Sequence, residues 1–169
     1  MAKVEEEKIT LSQVMGTENI EDFGNFDITI VRRVLAALAR DEAIDIAHAE
    51  MLQQKTLYAA DVIIEYIAKL VKTVGYLESK VSTVKNKVSL EYEKAGGAKT
   101  TVEMKKQAGE CDPQVEELSM KLAKTKGAKV FLERKYEILI KAHHYYKDIA
   151  SNQKKGIVSS NTTNNIGWE

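Results

Sequence analysis

The sequence is poor in residues that interrupt helices. Among its 169 residues there is one proline, Pro113, and most of the nine glycines stand at the edges of segments with regular apolar spacing. Proline and glycine are the residues that most disfavour the interior of a helix. Their scarcity predicts a small number of long helices.

Cysteine and long apolar runs are also scarce. Cys111 is the only cysteine, which excludes a disulfide within the chain and fits a reducing compartment. The apolar run 62–64 ends at Glu65, far short of the roughly 20 apolar residues that span a bilayer. Residues 1–8 are charged, with no apolar stretch behind them, so we expect no signal peptide and no membrane partner.

The formal net charge of zero hides a division of charge along the chain. Residues 1–65 carry 6 basic and 13 acidic side chains, a net charge of −7. Residues 66–109 carry 9 lysines and 4 glutamates, and residues 113–155 carry 10 basic and 5 acidic side chains, so each segment has a net charge of +5. This division favours a polyanionic partner or self-association of acidic with basic regions. Ordinary solvated helix faces are the alternative.

The first third of the chain predicts an acidic, flexible arm over residues 1–25, followed by a helix over 27–54. Asp27 precedes the first apolar residues of regular spacing, and aspartate is a preferred N-cap residue.

A second helix, predicted over 57–95, carries the strongest pattern in the sequence. Its apolar residues recur at alternating spacings of three and four, which defines a heptad seam that requires a partner helix. The seam consists of Ala60, Ile63, Ile67, Leu70, Val74, Leu77, Val81, Val84 and Val88.

The second half of the chain predicts a returning helix. A short helix over 100–108 precedes Asp112 and Pro113, which suit the N-cap and the first position of a helix over 113–155. A less regular seam runs from Val115 to Tyr146. We therefore expect an all-α protein whose single elongated domain, 26–155, is a long, coiled-coil-like antiparallel hairpin with an additional N-terminal helix. A disordered tail is expected over 156–169.

No pattern of catalytic or metal-binding residues is present. His143 and His144 are adjacent and point about 100° apart on a helix, and His48 lacks a ligand partner four residues away. Gly96-Gly97 follows a helix and lacks the flanking pattern of a phosphate-binding loop. We expect a protein that is not an enzyme and that needs no cofactor or metal.

The remaining chemistry is polyanion binding by lysines. Lys80, Lys87 and Lys94 are seven residues apart and therefore form one stripe on a helix, and Tyr145 lies off the seam, where its ring can stack on a base. Surface lysines are common on any helix, so each of these lysines could equally be an ordinary solvent-exposed residue that binds nothing. The predicted nucleic-acid contacts are Lys80, Lys85, Lys87, Lys94, Lys99, Lys105, Lys106, Lys121, Lys124, Lys126, Arg134, Tyr145 and Lys147.

The stretch 60–152 resembles the UvsY group of phage recombination mediators. The resemblance is carried by the lysine-rich helix before the bend, by Glu103-Met104-Lys105, by Asp112 with Val115, and by a helix with apolar spacing in which Tyr145-Tyr146-Lys147 precedes Ile149. It implies a ring-like homo-oligomer that binds single-stranded DNA and helps a RecA-like recombinase displace single-strand-binding protein. By correspondence it assigns DNA contacts to Lys105 and Lys106.

Three functions are compatible with these patterns. The first is a non-enzymatic, sequence-independent single-stranded-DNA-binding oligomer that acts as a recombination mediator, located in the cytoplasm of the host if it is phage-encoded. The second is a virion or scaffold component that assembles through its acidic and basic regions. The third is a small inhibitor or adaptor that docks a host protein.

Overall fold

The described chain consists of helices. The computed structural model describes residues 8–15, 26–39, 45–96 and 101–163, with side chains up to 155. Within these ranges the helices are α1 (Leu11–Met15), α2 (Thr29–Leu38), α3 (Ile46–Gly96), α4 (Val102–Glu110) and α5 (Pro113–Thr163). The prediction of an all-α hairpin is confirmed.

The two 51-residue helices α3 and α5 run antiparallel. Near the start of α3 the Glu50 carboxylate pairs with Lys154 Nζ, near the end of the side chains described for α5, at 2.5 Å. Further along α3, Glu78 pairs with Lys126 at 2.7 Å. A residue later in α3 therefore pairs with a residue earlier in α5, as antiparallel helices require.

The chain divides into two compact units. Unit 1 contains the described residues up to Tyr66 together with those from Leu132 onward, and unit 2 is Ile67–Phe131. The core of unit 1 is built from Leu11, Ile28, Val31, Leu52, Ile63, Leu132 and Leu139. The core of unit 2 is built from Leu70, Leu77, Val115, Leu118, Thr125 and Ala128.

The N-terminal residues differ from the predicted flexible arm. Residues 8–15 contact the segment before α2: Leu11 N donates to Phe26 O, and Ile28 N donates to Ile9 O, each at 2.9 Å. The Thr10 and Gln13 side chains each accept a hydrogen bond from the other's backbone N–H, which is a capping box at the start of α1. Residues 1–7 and 16–25 lie outside the described residues.

The predictions of one helix over 27–54 and another over 57–95 are wrong in the position of the break between them. Helix α2 ends at Leu38, and α3 begins at Ile46 and passes through residues 54–57 without a break. The physical reason is that Asp45 caps the new helix, since His48 N donates to its carboxylate at 2.7 Å. Asp27 does bond to the first turn of α2, through Thr29 N at 3.0 Å, but Ile28 occupies the cap position.

The boundaries of α4 and α5 lie closer to the predicted ones than those of α2 and α3 do. Asp112 accepts hydrogen bonds from Gln114 N and Val115 N, and α5 begins at Pro113 as predicted. Helix α4 covers 102–110 rather than 100–108, because the Thr101 side chain caps it by accepting from Met104 N. The α5 backbone stays helical to Thr163, where the sequence predicted a disordered tail from 156.

Candidate nucleic-acid interface

The central feature of unit 2 is a stripe of cations on α3. Lys80, Lys87 and Lys94 are exposed and lie on one uninterrupted helix. At 100° per residue they fall within about 40° of one another around the helix axis, together with Tyr76. The buried residues Leu70 and Leu77 lie about 90° away. The stripe therefore faces solvent beside the seam with α5.

Helix α5 adds cations to the same side of unit 2. The pKa of Glu117 is held below its ordinary value by a hydrogen bond from Lys121 and by its charge, and also by the charge of Lys80. Lys126, which pairs with Glu78, lies about 180° around α5 from Glu117, and Lys80 lies about 160° around α3 from Glu78. Lys80 and Glu117 therefore share the other flank of the seam, and the α5 residues around Glu117 border the α3 stripe. Lys121 pairs with Glu117 at 2.8 Å, and Lys124 is exposed one turn further on. We call Tyr76, Lys80, Lys87, Lys94, Lys121 and Lys124 the lysine face.

Two glutamates border these lysines. Lys87 Nζ lies 3.9 Å from Glu91, and both side chains are largely exposed. Exposed ion pairs of this kind contribute about 0–1 kcal/mol because water and salt screen them. A phosphate can therefore replace Glu91 or Glu117 as a partner at little cost.

The opposite side of α3 is occupied by α4. Gly109 lies so close that a Cβ atom there would be 3.0 Å from both the backbone O of Lys85 and Ser89 Oγ. Ser89 Oγ also donates to the backbone O of Lys105 at 3.0 Å. Residues 85 and 89 are about 160° around the helix from the lysine face. Glycine at 109 permits this close approach.

Several predicted contacts therefore lie away from the lysine face. Lys105 is only 25% exposed and pairs with Glu93 at 2.5 Å, and Lys126 pairs with Glu78 on this opposite side. Lys85 is half-buried, and Lys106 is exposed on α4. The resemblance assigned DNA contacts to Lys105 and Lys106, but Lys105 would first have to leave Glu93. Lys99 lies outside the described residues.

The last three predicted contacts belong to unit 1. Arg134, Tyr145 and Lys147 are exposed on α5. Tyr145 is 62% exposed, and its ring makes an edge-to-face contact with the Tyr146 ring at a centroid distance of 5.3 Å. Tyr146 itself is buried, as its seam position predicted.

Sequence reasoning missed Tyr76. Tyr76 is 63% exposed, and Lys80 Nζ lies over its ring, 5.7 Å from the ring centroid, within the range of a cation–π contact. The signal was present in the sequence, because Tyr76 stands one helical turn before Lys80 and belongs to the same stripe.

Unit 1 contains an open cavity of about 390 Å³ beside α2. Lys8 and Arg33 line it, together with Asp27 and Tyr66. Hydrogen bonds from Thr29, assisted by the charges of Lys8 and Arg33, lower the pKa of Asp27. Tyr66 donates its hydroxyl to the backbone O of Asp27 at 3.2 Å, and burial raises the pKa of this tyrosine. The cations of the cavity thus already face a carboxylate.

The described part of the chain carries neither a cluster of metal-ligand side chains nor a membrane-spanning helix. Among residues 8–15, 26–39, 45–96 and 101–163, no three His, Cys, Asp or Glu side chains are grouped so as to hold a metal ion. None of the helices in the described part of the chain combines the length and apolarity that crossing a bilayer requires.

Comparisons of the chain with protein families, curated proteins and solved structures find no match. The fold itself defines the class of the protein: an all-α antiparallel helical hairpin with an exposed lysine face.

Proposed function

We propose that this protein is a non-enzymatic, sequence-independent binder of single-stranded DNA, and that the lysine face contacts the strand. The proposal rests on one observation: Lys80, Lys87 and Lys94 are exposed and stand seven residues apart on an unbroken helix. Successive lysines are about 10 Å apart along the helix axis. A flexible single strand can follow such a row and place phosphates beside successive cations.

Sequence independence follows from the type of contact. Lysine is a compact point charge that binds phosphate oxygens, and phosphates are identical at every position of a nucleic acid. Copies of the chain placed side by side in a homo-oligomer would multiply these weak contacts into avidity. The further role of a cytoplasmic mediator, which helps a RecA-like recombinase replace single-strand-binding protein, rests on the resemblance of residues 60–152 to UvsY.

A salt titration tests the proposal. We expect a fluorescein-labelled dT oligonucleotide to bind at low salt, as seen by an increase in anisotropy, and to be released as salt is raised. Each phosphate neutralised on a single strand contributes about −0.7 to the slope of log K against log salt. The five lysines of the lysine face therefore predict a slope of about −3.5 per bound chain. No increase in anisotropy at low salt would remove the proposal.

Self-association as an assembly protein is the second candidate function, and exposed apolar residues in unit 1 favour it. Leu57 and Ile64 are seven residues apart on α3, Ile138 and Tyr145 are seven apart on α5, and all four side chains are exposed. Seven-residue spacing aligns side chains for packing against another helix. Light scattering after size-exclusion chromatography would show a defined oligomer whose mass falls in Leu57→Ser/Ile64→Ser. An unchanged mass would exclude this surface.

A further inference from the structure

Tyr76 is the one aromatic side chain of the lysine face, and its environment differs from that of the tyrosines that build the core. Tyr146 is 4% exposed, and Tyr66 stacks on Phe26 at a centroid distance of 4.7 Å. Tyr76 instead is largely exposed, with Lys80 Nζ over its ring. Packing within unit 2 therefore does not account for an aromatic residue at this position.

The pairing of Tyr76 with Lys80 suits one kind of ligand group. An exposed aromatic ring stacks on the face of a nucleobase, and every base has such a face. The Lys80 ammonium group lies over one face of the ring, so a base stacks on the other face, with the cation near enough to meet a phosphate of the same strand. In a duplex the faces of the bases are already stacked on one another, so only an unpaired base can satisfy the ring.

We propose that Tyr76 stacks on an unpaired base of the bound strand, with Lys80 on the neighbouring phosphate, and that this contact makes the lysine face selective for single strands over duplexes. The inference rests on the proposed function, since it assigns a base contact to a surface whose phosphate contacts were argued above. It adds a ligand group that the lysines alone do not recognise.

Three variants and three probes separate the base contact from the phosphate contacts. The variants are Tyr76→Ala, Tyr76→Phe and Tyr92→Ala. Tyr92 is the matched control, because it is an exposed tyrosine of α3 about 160° around the helix from Tyr76. The probes are a dT oligonucleotide, an abasic strand of the same length and a duplex, each measured by anisotropy at one fixed salt concentration.

We expect Tyr76→Ala to weaken binding of the dT strand by about 5- to 150-fold, the range measured for loss of one stacked base. Binding of the abasic strand and of the duplex should not change, because neither offers an unpaired base. Tyr76→Phe keeps the ring and should bind dT like the wild type, as should Tyr92→Ala. Circular dichroism is expected to show equal helix content in all three variants.

Other outcomes overturn the inference in different ways. Equal binding of dT by Tyr76→Ala and the wild type would exclude stacking while leaving the proposed function intact. Equal losses on dT and on the abasic strand would assign Tyr76 a structural role. A smaller mass of Tyr76→Ala in light scattering would place the ring between copies of the chain. If the wild type binds no strand at low salt, the proposed function itself fails.

Discussion

Replacing Lys80, Lys87 and Lys94 together by glutamine is expected to weaken binding of a dT oligonucleotide on the order of 10- to 100-fold at low salt. All three cations are exposed on one stripe of α3, so the variant removes all of the charge that α3 gives to the lysine face. The slope of log K against log salt should become less steep by about 2, since each of three lost phosphate contacts contributes about 0.7. Glutamine and lysine have similar helix propensities, so α3 should remain helical.

The matched control removes the same charge elsewhere. Lys55, Lys141 and Lys155 are exposed lysines of unit 1, and their replacement by glutamine also lowers the net charge by three. This variant should retain nearly the affinity of the wild type. Equal weakening by both triple variants would show that binding follows net charge, and the lysine face would then have no special role.

Replacing Ile63 by alanine is expected to lower the free energy of unfolding by about 2–5 kcal/mol, the usual cost of deleting a buried isoleucine side chain. Ile63 lies on the seam of α3 and is 0% exposed. Ile64 is its matched control, because the next residue of the same helix is 45% exposed. Ile64→Ala should cost less than about 1 kcal/mol, as exposed substitutions usually do.

Urea unfolding followed by circular dichroism at 222 nm measures this difference. Both variants change isoleucine to alanine in a helix interior, so the gain in helix propensity is common to the two and cancels in the comparison. The difference then reports burial alone. Equal midpoints for the two variants would mean that the seam does not pack as the structure places it, and the hairpin would lose its core.

The hairpin could be predicted because its two seams are regular. Ile63, Leu70 and Leu77 of α3 are buried as their three-and-four spacing requires, and Val115 and Leu118 begin the facing seam of α5. The start of α5 could be predicted equally well, because Asp112 before Pro113 is a strong local signal of a helix start. In the structure Asp112 accepts two hydrogen bonds from the first turn of α5.

The N-terminal third was harder to predict. Residues 39–45 contain neither proline nor glycine, so the interruption between α2 and α3 is marked only by Asp45, a preferred N-cap residue. The pairing of residues 8–15 with the segment before α2 depends on tertiary contacts, such as the buried side chains of Leu11 and Ile28. Thr10 and Gln13 have the spacing of a capping box, which indicates a helix start, but the acidic residues around them favoured the prediction of a flexible arm.

The candidate site was predicted in part. Heptad spacing gave the stripe of Lys80, Lys87 and Lys94, because spacing along a single helix fixes which residues share a face. Spacing does not reveal which side of that helix α4 covers or which lysine meets a glutamate of another helix. The pairs of Lys105 with Glu93 and of Lys126 with Glu78 depend on how the helices pack, and they remove two predicted contacts from the lysine face.

The most direct test of the account is a lysine footprint on the wild-type chain. Reductive methylation followed by mass spectrometry, with and without a dT oligonucleotide at low salt, compares the reactivity of every lysine in one experiment. We predict protection by the strand at Lys80, Lys87, Lys94, Lys121 and Lys124, with unchanged reactivity at Lys55, Lys141 and Lys155. Protection centred on Lys105 and Lys106, or uniform reactivity with and without the strand, would contradict the assignment of the lysine face.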